Sequence, residues 1–203
     1  MQKPNNYDTT PASGDFTPIE LGGHLMEIKE VVEMKSKKGR DMIKVSFDFA
    51  KGDAQAGYFM KQFQDDIRPE KKWPNNGTAY ILTEDQDGGC SRAFKTFTTS
   101  VEKSNPGFSV EWGERFAGCF KGKMVGGVFG VVHDYYNGRN IEKRLLRWFR
   151  SAEGVKDADI PKETETKAYK EANTATGIPG FGTPDQNGFM DIPDGIDETL
   201  PFN

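Results

Sequence analysis

The chain has 203 residues, 35% of them hydrophobic and 12% aromatic, and a formal net charge of −4. This composition can bury one good core, and the length allows one domain or at most two. Two cysteines, Cys90 and Cys119, are too few for a disulfide scaffold and lack zinc-site spacing, so we expect reduced core thiols. No run approaches the roughly 20 apolar residues that cross a bilayer, and the start lacks a signal-peptide pattern, which predicts a cytoplasmic protein without membrane contact.

The charge is unevenly distributed along the chain. Residues 1–150 hold 23 Lys and Arg against 20 Asp and Glu, whereas residues 185–203 hold five acids and no Lys or Arg. The acidity therefore belongs to the C-terminal part, and the rest is mildly basic. Such a charge distribution is typical of a folded domain that binds phosphate, followed by a tail that does not.

The first half predicts a flexible arm and then strands. Residues 1–14 are polar and lack periodicity, which predicts a flexible N-terminal arm. Between residues 23 and 50, two runs of alternating apolar residues flank a basic, glycine-containing turn, which predicts a β-hairpin. The aromatic run 57–63 is expected to be a strand, and 78–84 fits either a strand or the start of a helix.

A helix and a second hairpin follow. Phe94, Phe97 and Val101 recur at spacings of three and four after a possible cap at Ser91, which predicts a helix. Residues 112–122 are expected to form a short helix or turn. The next two strand-like runs flank Asn-Gly at 137–138, a pair that favours a type I′ turn because both positions need positive φ.

The apolar runs 43–49 and 125–132 are expected to be core, with glycines permitting close packing in the second. These elements predict a mainly β fold, an OB-fold-like Greek-key barrel with one or two short helices over residues 15–152. A sandwich with the same strand count is the alternative. Residues 153–184 are rich in Gly, Pro, Thr and charge, which predicts a flexible linker before a disordered acidic tail at 185–203.

Small barrels of this type bind single strands with a basic groove and with aromatic side chains that stack on bases. Both ingredients occur in the first hairpin turn, in the proline-bounded loop at 68–73 and in the second hairpin. Alternation places Arg144, Trp148 and Arg150 on one strand face, which we favour for DNA. Core packing is the alternative for Trp148, as it is for the tryptophan of the loop. The candidate DNA-binding residues are Lys35, Lys37, Lys38, Arg40, Arg68, Lys71, Lys72, Trp73, Tyr135, Tyr136, Arg139, Arg144, Trp148 and Arg150.

Catalysis is not expected from this sequence. His24 and His133 have no cysteine or carboxylate partner at ligand spacing, which argues against a metal site. The acid pairs at 65–66 and at 85 and 87 could hold Mg²⁺ in a nuclease, but they lie in turn sequences where acids are ordinary. We therefore expect a protein that is not an enzyme and needs no cofactor.

The final segment, MDIPDGIDETLPFN, resembles the acidic tail tip of bacterial single-stranded DNA-binding proteins, in which several Asp residues precede an aliphatic residue, Pro and Phe. In that family the tip docks in a basic-rimmed apolar pocket of partner enzymes. The resemblance therefore implies docking of replication or recombination proteins. The family ends on Phe, whereas Asn203 follows here and displaces the terminal carboxylate. The implied partner-binding residues are Asp194, Asp197, Glu198, Leu200, Pro201 and Phe202.

The body is similar to phage or prophage-type single-stranded DNA-binding proteins in the segments 22–49, 71–80, 92–97 and 120–130. The sequence therefore predicts single-stranded DNA binding without sequence preference, together with partner recruitment by the tail. The alternative is a non-enzymatic interaction or phage assembly module that does not bind nucleic acid. Whether the chain forms a homo-oligomer is left open.

Overall fold

The computed structural model describes residues 1–5, 7–8 and 17–174. The predicted acidic tail at 185–203 and most of the predicted N-terminal arm lie outside these residues. Three short 3₁₀ turns, at 75–77, 113–115 and 155–157, accompany the longer elements. The strands and helices are β1 (Gly22–Lys35), β2 (Asp41–Phe49), α1 (Tyr58–Gln64), β3 (Thr78–Leu82), α2 (Arg92–Ser104), α3 (Phe116–Cys119), β4 (Met124–Tyr136), β5 (Arg139–Arg150), β6 (Thr164–Glu165) and α4 (Lys167–Thr174).

The described residues divide into two compact units. The first comprises residues 1–131 and 144–163, and the second comprises 132–143 and 164 onward. The strand order is β3-β2-β1-β4-β5, with β6 added beside β4. The prediction of a mainly β fold is confirmed. No pairing of β3 with β5 occurs within the described chain, so the sheet is open and the closed barrel stays a prediction.

The core of the first unit lies under the inner face of β1 and β2. Ile43, Val45 and Phe47 alternate inward from β2 and are at most 1% exposed, as period-two burial requires. Helix α2 adds Phe97, whose ring centroid lies 4.9 Å from that of Phe149 on β5. The prediction that residues 43–49 and 125–132 supply core side chains is confirmed.

Helix α1 corrects the prediction of a strand at 57–63. The carboxylate of Asp48, 2% exposed on β2, accepts hydrogen bonds from the backbone N–H groups of Phe59 at 2.9 Å and Met60 at 3.2 Å. These are first-turn donors that have no partner within a helix. Gly57 enters the helix at φ 75°, which suits glycine. The segment is helical because a distant strand supplies its cap.

The remaining local predictions are confirmed or resolved. In the segment at 78–84, residues 78–82 form a strand, β3, which pairs with β2. The Ser91 hydroxyl accepts from the N–H of Phe94 at 3.1 Å and so caps α2 as predicted. Asn137 (φ 50°) and Gly138 (φ 77°) both take positive φ in the β4–β5 turn.

The expectation of core thiols is wrong for Cys90, which is exposed, and both cysteines are free.

Glycines in β4 allow close packing, as the sequence indicates. A Cβ placed on Gly127 would lie 2.3 Å from Cε of Met26, and one on Gly126 would lie 2.7 Å from the carbonyl oxygen of Ser151. Contacts this short are not tolerated in proteins. The strand therefore needs glycine at 126, where the neighbour is backbone of the segment after β5, whereas a Cβ at 127 would force the ends of the Met26 and Leu146 side chains to shift.

The second unit contains the tip of the β4–β5 hairpin and the described part of the chain after residue 163. β6 pairs in parallel with Val132 and His133, and Thr166 donates its N–H to the carbonyl of His133 at 2.9 Å. Inside the segment predicted as a linker, β6 and α4 thus belong to the second unit, whereas the 3₁₀ turn at 155–157 belongs to the first. No helix in the described ranges is long and apolar enough to span a membrane.

Candidate nucleic-acid interface

The β1–β2 turn presents the first predicted cation cluster. The ammonium of Lys35 lies 2.7 Å from a carboxylate oxygen of Asp41, and both side chains are exposed. The guanidinium of Arg40 donates to the carbonyl of Glu84 at 2.6 Å, which fixes its position. Lys37 and Lys38 are exposed and make no ion pair with any described residue. These two lysines are therefore the members of the cluster that are available to phosphate.

The outer face of the first three strands, the side turned away from the core, carries an exposed aromatic residue that sequence analysis missed. Strand register places Val32, Lys44 and Tyr80 in one cross-strand row. Tyr80 is 60% exposed and Val32 38% exposed. The next row holds methionine at 34 and 42, one step before the basic turn. We call the row of Val32, Lys44 and Tyr80 the outer-face row.

Some of the predicted cations in the loop at 65–77 are bound by groups of the protein, and others are exposed. Arg68 binds Asp66 through Nε at 2.8 Å and Nη2 at 2.6 Å, and this guanidinium holds the pKa of Asp66 well below its usual range. The ammonium of Lys71 donates to the carbonyl of Gln64 at 2.5 Å. Lys72 uses its backbone N–H toward Asp66, and its side chain is exposed. The charge of Arg68 is thus partly neutralised within its own loop.

Trp73 folds back onto the protein. Its indole N–H donates to the carbonyl of Gly77 at 2.9 Å, and its ring centroid lies 5.7 Å from that of Phe63. The indole packs against the core cluster while remaining half-buried. The alternative that this tryptophan packs on the core is therefore confirmed. Its contact with DNA stays a prediction.

The predicted residues of strand β5 differ in exposure according to the strand face on which they lie. Trp148 is 46% exposed and its neighbour Phe149 only 6%, so the core alternative for Trp148 is wrong. The guanidinium of Arg144 donates to the carbonyl of Ile19 at 2.7 Å, which ties β5 to the segment before β1. Arg150 is half-buried at the strand end.

The β4–β5 tip, in the second unit, exposes the third predicted cluster. Tyr136 is 63% exposed and Tyr135 39%, and Arg139 is exposed directly after the turn. Asp134 accepts from the ammonium of Lys143 at 2.5 Å and the hydroxyl of Thr166 at 2.7 Å. These hydrogen bonds hold the pKa of Asp134 below its ordinary value.

A second exposed aromatic residue missed by sequence analysis, Trp112, has a different electrostatic setting. Its ring stacks on Phe116 with centroids 5.5 Å apart and planes at 18°, yet the residue is 68% exposed. It lines a groove of about 680 Å³ together with the acids Glu33, Asp41 and Glu114, and the one cation among the lining residues, Lys35, is paired with Asp41. Carboxylates repel phosphate, so this groove does not suit nucleic acid.

The most buried titratable pair lies elsewhere in the first unit. Nδ1 of His24 lies 3.0 Å from Oδ1 of Asp53, and Nε2 lies 3.0 Å from the carbonyl oxygen of Glu20. Carboxylate and carbonyl oxygens only accept hydrogen bonds, so both imidazole nitrogens donate and His24 is charged. Burial lowers the pKa of His24, but its hydrogen bonds to Asp53 and Glu20 outweigh burial and raise it.

Asp53 is perturbed in the opposite sense. Burial raises its pKa, but hydrogen bonds from His24 and from the N–H groups of Gln55 and Leu25 outweigh burial and lower it. The two side chains are 4% and 3% exposed and their polar atoms are hydrogen-bonded within the protein, so the pair is a structural ion pair. No group of three His, Cys, Asp or Glu side chains in the described ranges could hold a metal ion.

Comparison with known proteins gives no family assignment. No protein-family model matches the chain, and no curated protein matches it.

Proposed function

We propose that this protein binds single-stranded DNA without strong sequence preference. The observation that supports the proposal is the outer-face row, an exposed tyrosine beside a lysine on adjacent strands, next to a turn with two unpaired lysines. An exposed ring stacks on any base, and lysines neutralise backbone phosphates by releasing counterions. The combination suits an unpaired strand, whose bases are available for stacking.

The arrangement agrees with the use of OB-type sheets. In that architecture oligonucleotides contact the face of strands 2 and 3 and the loops joining strands 1–2 and 4–5. In the first unit, the corresponding positions hold Tyr80 on β3 and Lys37 and Lys38 in the turn between β1 and β2. The sequence pattern supports the two lysines of the turn, and the strand register supports the tyrosine of the sheet face.

The test compares two exposed aromatic residues in opposite settings. We expect Tyr80→Ala to weaken binding of a labelled poly-dT oligonucleotide by roughly 5- to 150-fold, the equivalent of about 1–3 kcal/mol for one stacked base. Trp112→Ala is the matched control, because that ring is as exposed but has carboxylates nearby. Fluorescence anisotropy at two salt concentrations measures both, and equal affinities for the two variants would contradict the proposed face.

The turn lysines supply a second, electrostatic test. We expect Lys37→Gln with Lys38→Gln to reduce the dependence of log affinity on log salt by about 1.4, since each phosphate contact on a single strand contributes about 0.7. Duplex competitor should not displace the oligonucleotide. An unchanged salt dependence would exclude this turn from the binding surface.

We also propose that residues 185–203 recruit replication or recombination enzymes, as their resemblance to the bacterial tail tip implies. An immobilised peptide of these residues is expected to retain such enzymes from a bacterial lysate, identified by mass spectrometry. A peptide with Phe202→Ala should lose them, because the ring is the apolar anchor. Equal retention by both peptides would count against recruitment through the tip.

The second candidate function is an interaction module that does not bind nucleic acid. The exposed Trp112 on an acid-rimmed apolar groove favours it. Absence of poly-dT binding by the wild-type protein at micromolar concentration would support this alternative over DNA binding.

A further inference from the structure

Helix α2 and the end of β5 border a groove of about 850 Å³ that none of the predicted sites covers as a whole. Among its lining residues, Arg150 alone belongs to the candidate DNA-binding residues predicted from the sequence. Four cationic side chains line the groove, and we call it the α2 groove. They are Arg92, Lys95, Lys103 and Arg150.

The period of the helix creates this alignment. Arg92, Lys95, Thr99 and Lys103 follow one another at spacings of three and four, so they form a single stripe along the outward side of α2. The stripe covers about 16 Å, at 1.5 Å per residue. The groove is therefore long enough for several consecutive phosphates, whereas a free phosphate would engage one or two of its cations.

The part of the chain that the structure describes does not neutralise the cations of the groove. Within the described residues, none of the four makes an ion pair, in contrast to Lys35 and Arg68. The one carboxylate on the lining, Asp85, instead accepts hydrogen bonds from two backbone N–H groups in its own turn. Four like charges along one groove repel one another, and a polyanion removes that repulsion.

The lining also indicates how the polyanion is contacted. The only aromatic residue of the groove, Phe149, is 6% exposed, so no ring is available for stacking on a base. Thr99 adds a hydroxyl to the stripe, which can donate to a phosphate oxygen. Contacts of this kind read the backbone and carry no base sequence.

We propose that the α2 groove binds the sugar–phosphate backbone of nucleic acid, as a surface additional to the outer-face row. The inference rests on the proposed function. Helix α2 turns Phe94, Phe97 and Val101 toward the core under the inner face of the sheet, so its cationic side and the outer-face row point in different directions. A strand must pass around the first unit to reach both surfaces, and only a long oligonucleotide does so.

The experiment compares poly-dT of about 10 and about 35 nucleotides, lengths within and beyond the 4–16 nucleotides that one such domain covers. The test variant carries Arg92→Gln, Lys95→Gln and Lys103→Gln, since glutamine keeps helix propensity. The control carries Lys51→Gln, Lys61→Gln and Lys121→Gln, three exposed lysines outside the groove, so both variants lose the same charge. Urea unfolding shows that both remain folded.

We expect the groove variant to bind the long oligonucleotide at least about tenfold more weakly than the control variant, with a salt dependence reduced by about 2, the value for three phosphate contacts. Its affinity for the short oligonucleotide should equal that of the control variant. Equal affinity and salt dependence of the two variants for the long oligonucleotide would overturn the inference while leaving the proposed function intact. Failure of the wild-type protein to bind either length would overturn both.

Discussion

Replacing Asp53 by asparagine tests whether the buried His24 pair holds the first unit together. The substitution keeps the shape of the side chain but removes the charge that faces the imidazolium. Breaking a buried ion pair by removing one partner costs about 3–5 kcal/mol, because the other charge is left without compensation. At 3% exposure the Asp53 side chain has little contact with water that would reduce this loss.

Urea unfolding followed by tryptophan fluorescence gives the magnitude. With a slope of about 1–3 kcal/mol per molar urea, the midpoint should fall by at least about 1 M. Asp41→Asn is the control, because its ion pair with Lys35 is exposed and such pairs contribute about 0–1 kcal/mol. Equal midpoints for the two variants would refute the assignment of His24 and Asp53 as a stabilising pair.

The pH dependence follows from the two pKa directions. The pKa of His24 is raised from 6.5, so its contribution is complete below that pH and is lost as the pH rises through the folded-state pKa. The pKa of Asp53 is lowered from 3.8, so its contribution is present above that pH and is lost as the pH falls. The difference between wild type and Asp53→Asn should thus be largest between pH 3.8 and 6.5 and shrink toward pH 9. A constant difference from pH 6 to 9 would contradict a charged His24.

Two further substitutions test the packing that positions the sheet. Asp48→Ala should destabilise the protein by about 2 kcal/mol or more in urea unfolding, since the N–H groups of Phe59 and Met60 lose their acceptor; an effect below about 0.5 kcal/mol would show that the cap is dispensable. Gly127→Ala should cost about 1–3 kcal/mol through overpacking, whereas Gly118→Ala in α3, where an added Cβ meets open space, should be neutral or slightly stabilising. Equal thermal midpoints for the two glycine variants would contradict the close approach.

The parts of the fold that the sequence predicted are those whose determinants are local. The β4–β5 hairpin follows from an Asn-Gly pair between strand-like runs, and α2 follows from its cap and apolar spacing. The helix at 58–64 could not be predicted in this way. Its cap, Asp48, precedes Phe59 by eleven residues and reaches it only after β2 has formed, so the aromatic content of the segment indicated a strand.

In the candidate site, too, the residues that the sequence predicted are those with local determinants. Lysines in a glycine-containing turn are visible as a cluster, so Lys37 and Lys38 were found from the sequence. Tyr80 was missed because five residues of β3 are too few to distinguish a strand from a helix, and without a strand no face can be assigned. Its place beside Lys44 follows from pairing with β2, which is information that single-strand alternation does not contain.

The cations of α2 were missed for a different reason, although their signal was present. The spacing of Phe94, Phe97 and Val101 predicted the helix and its buried side, and the same period fixes what lies opposite. Charges on the exposed side of an amphipathic helix are ordinary, so the stripe of Arg92, Lys95 and Lys103 indicates nothing until a second element borders it. The end of β5 is that element, because Phe149 and Arg150 line the groove opposite the exposed side of the helix. A charged helix side becomes a candidate binding surface when a second element lies opposite it. Here that element is the end of β5, where Arg150 follows Lys103 by 47 residues.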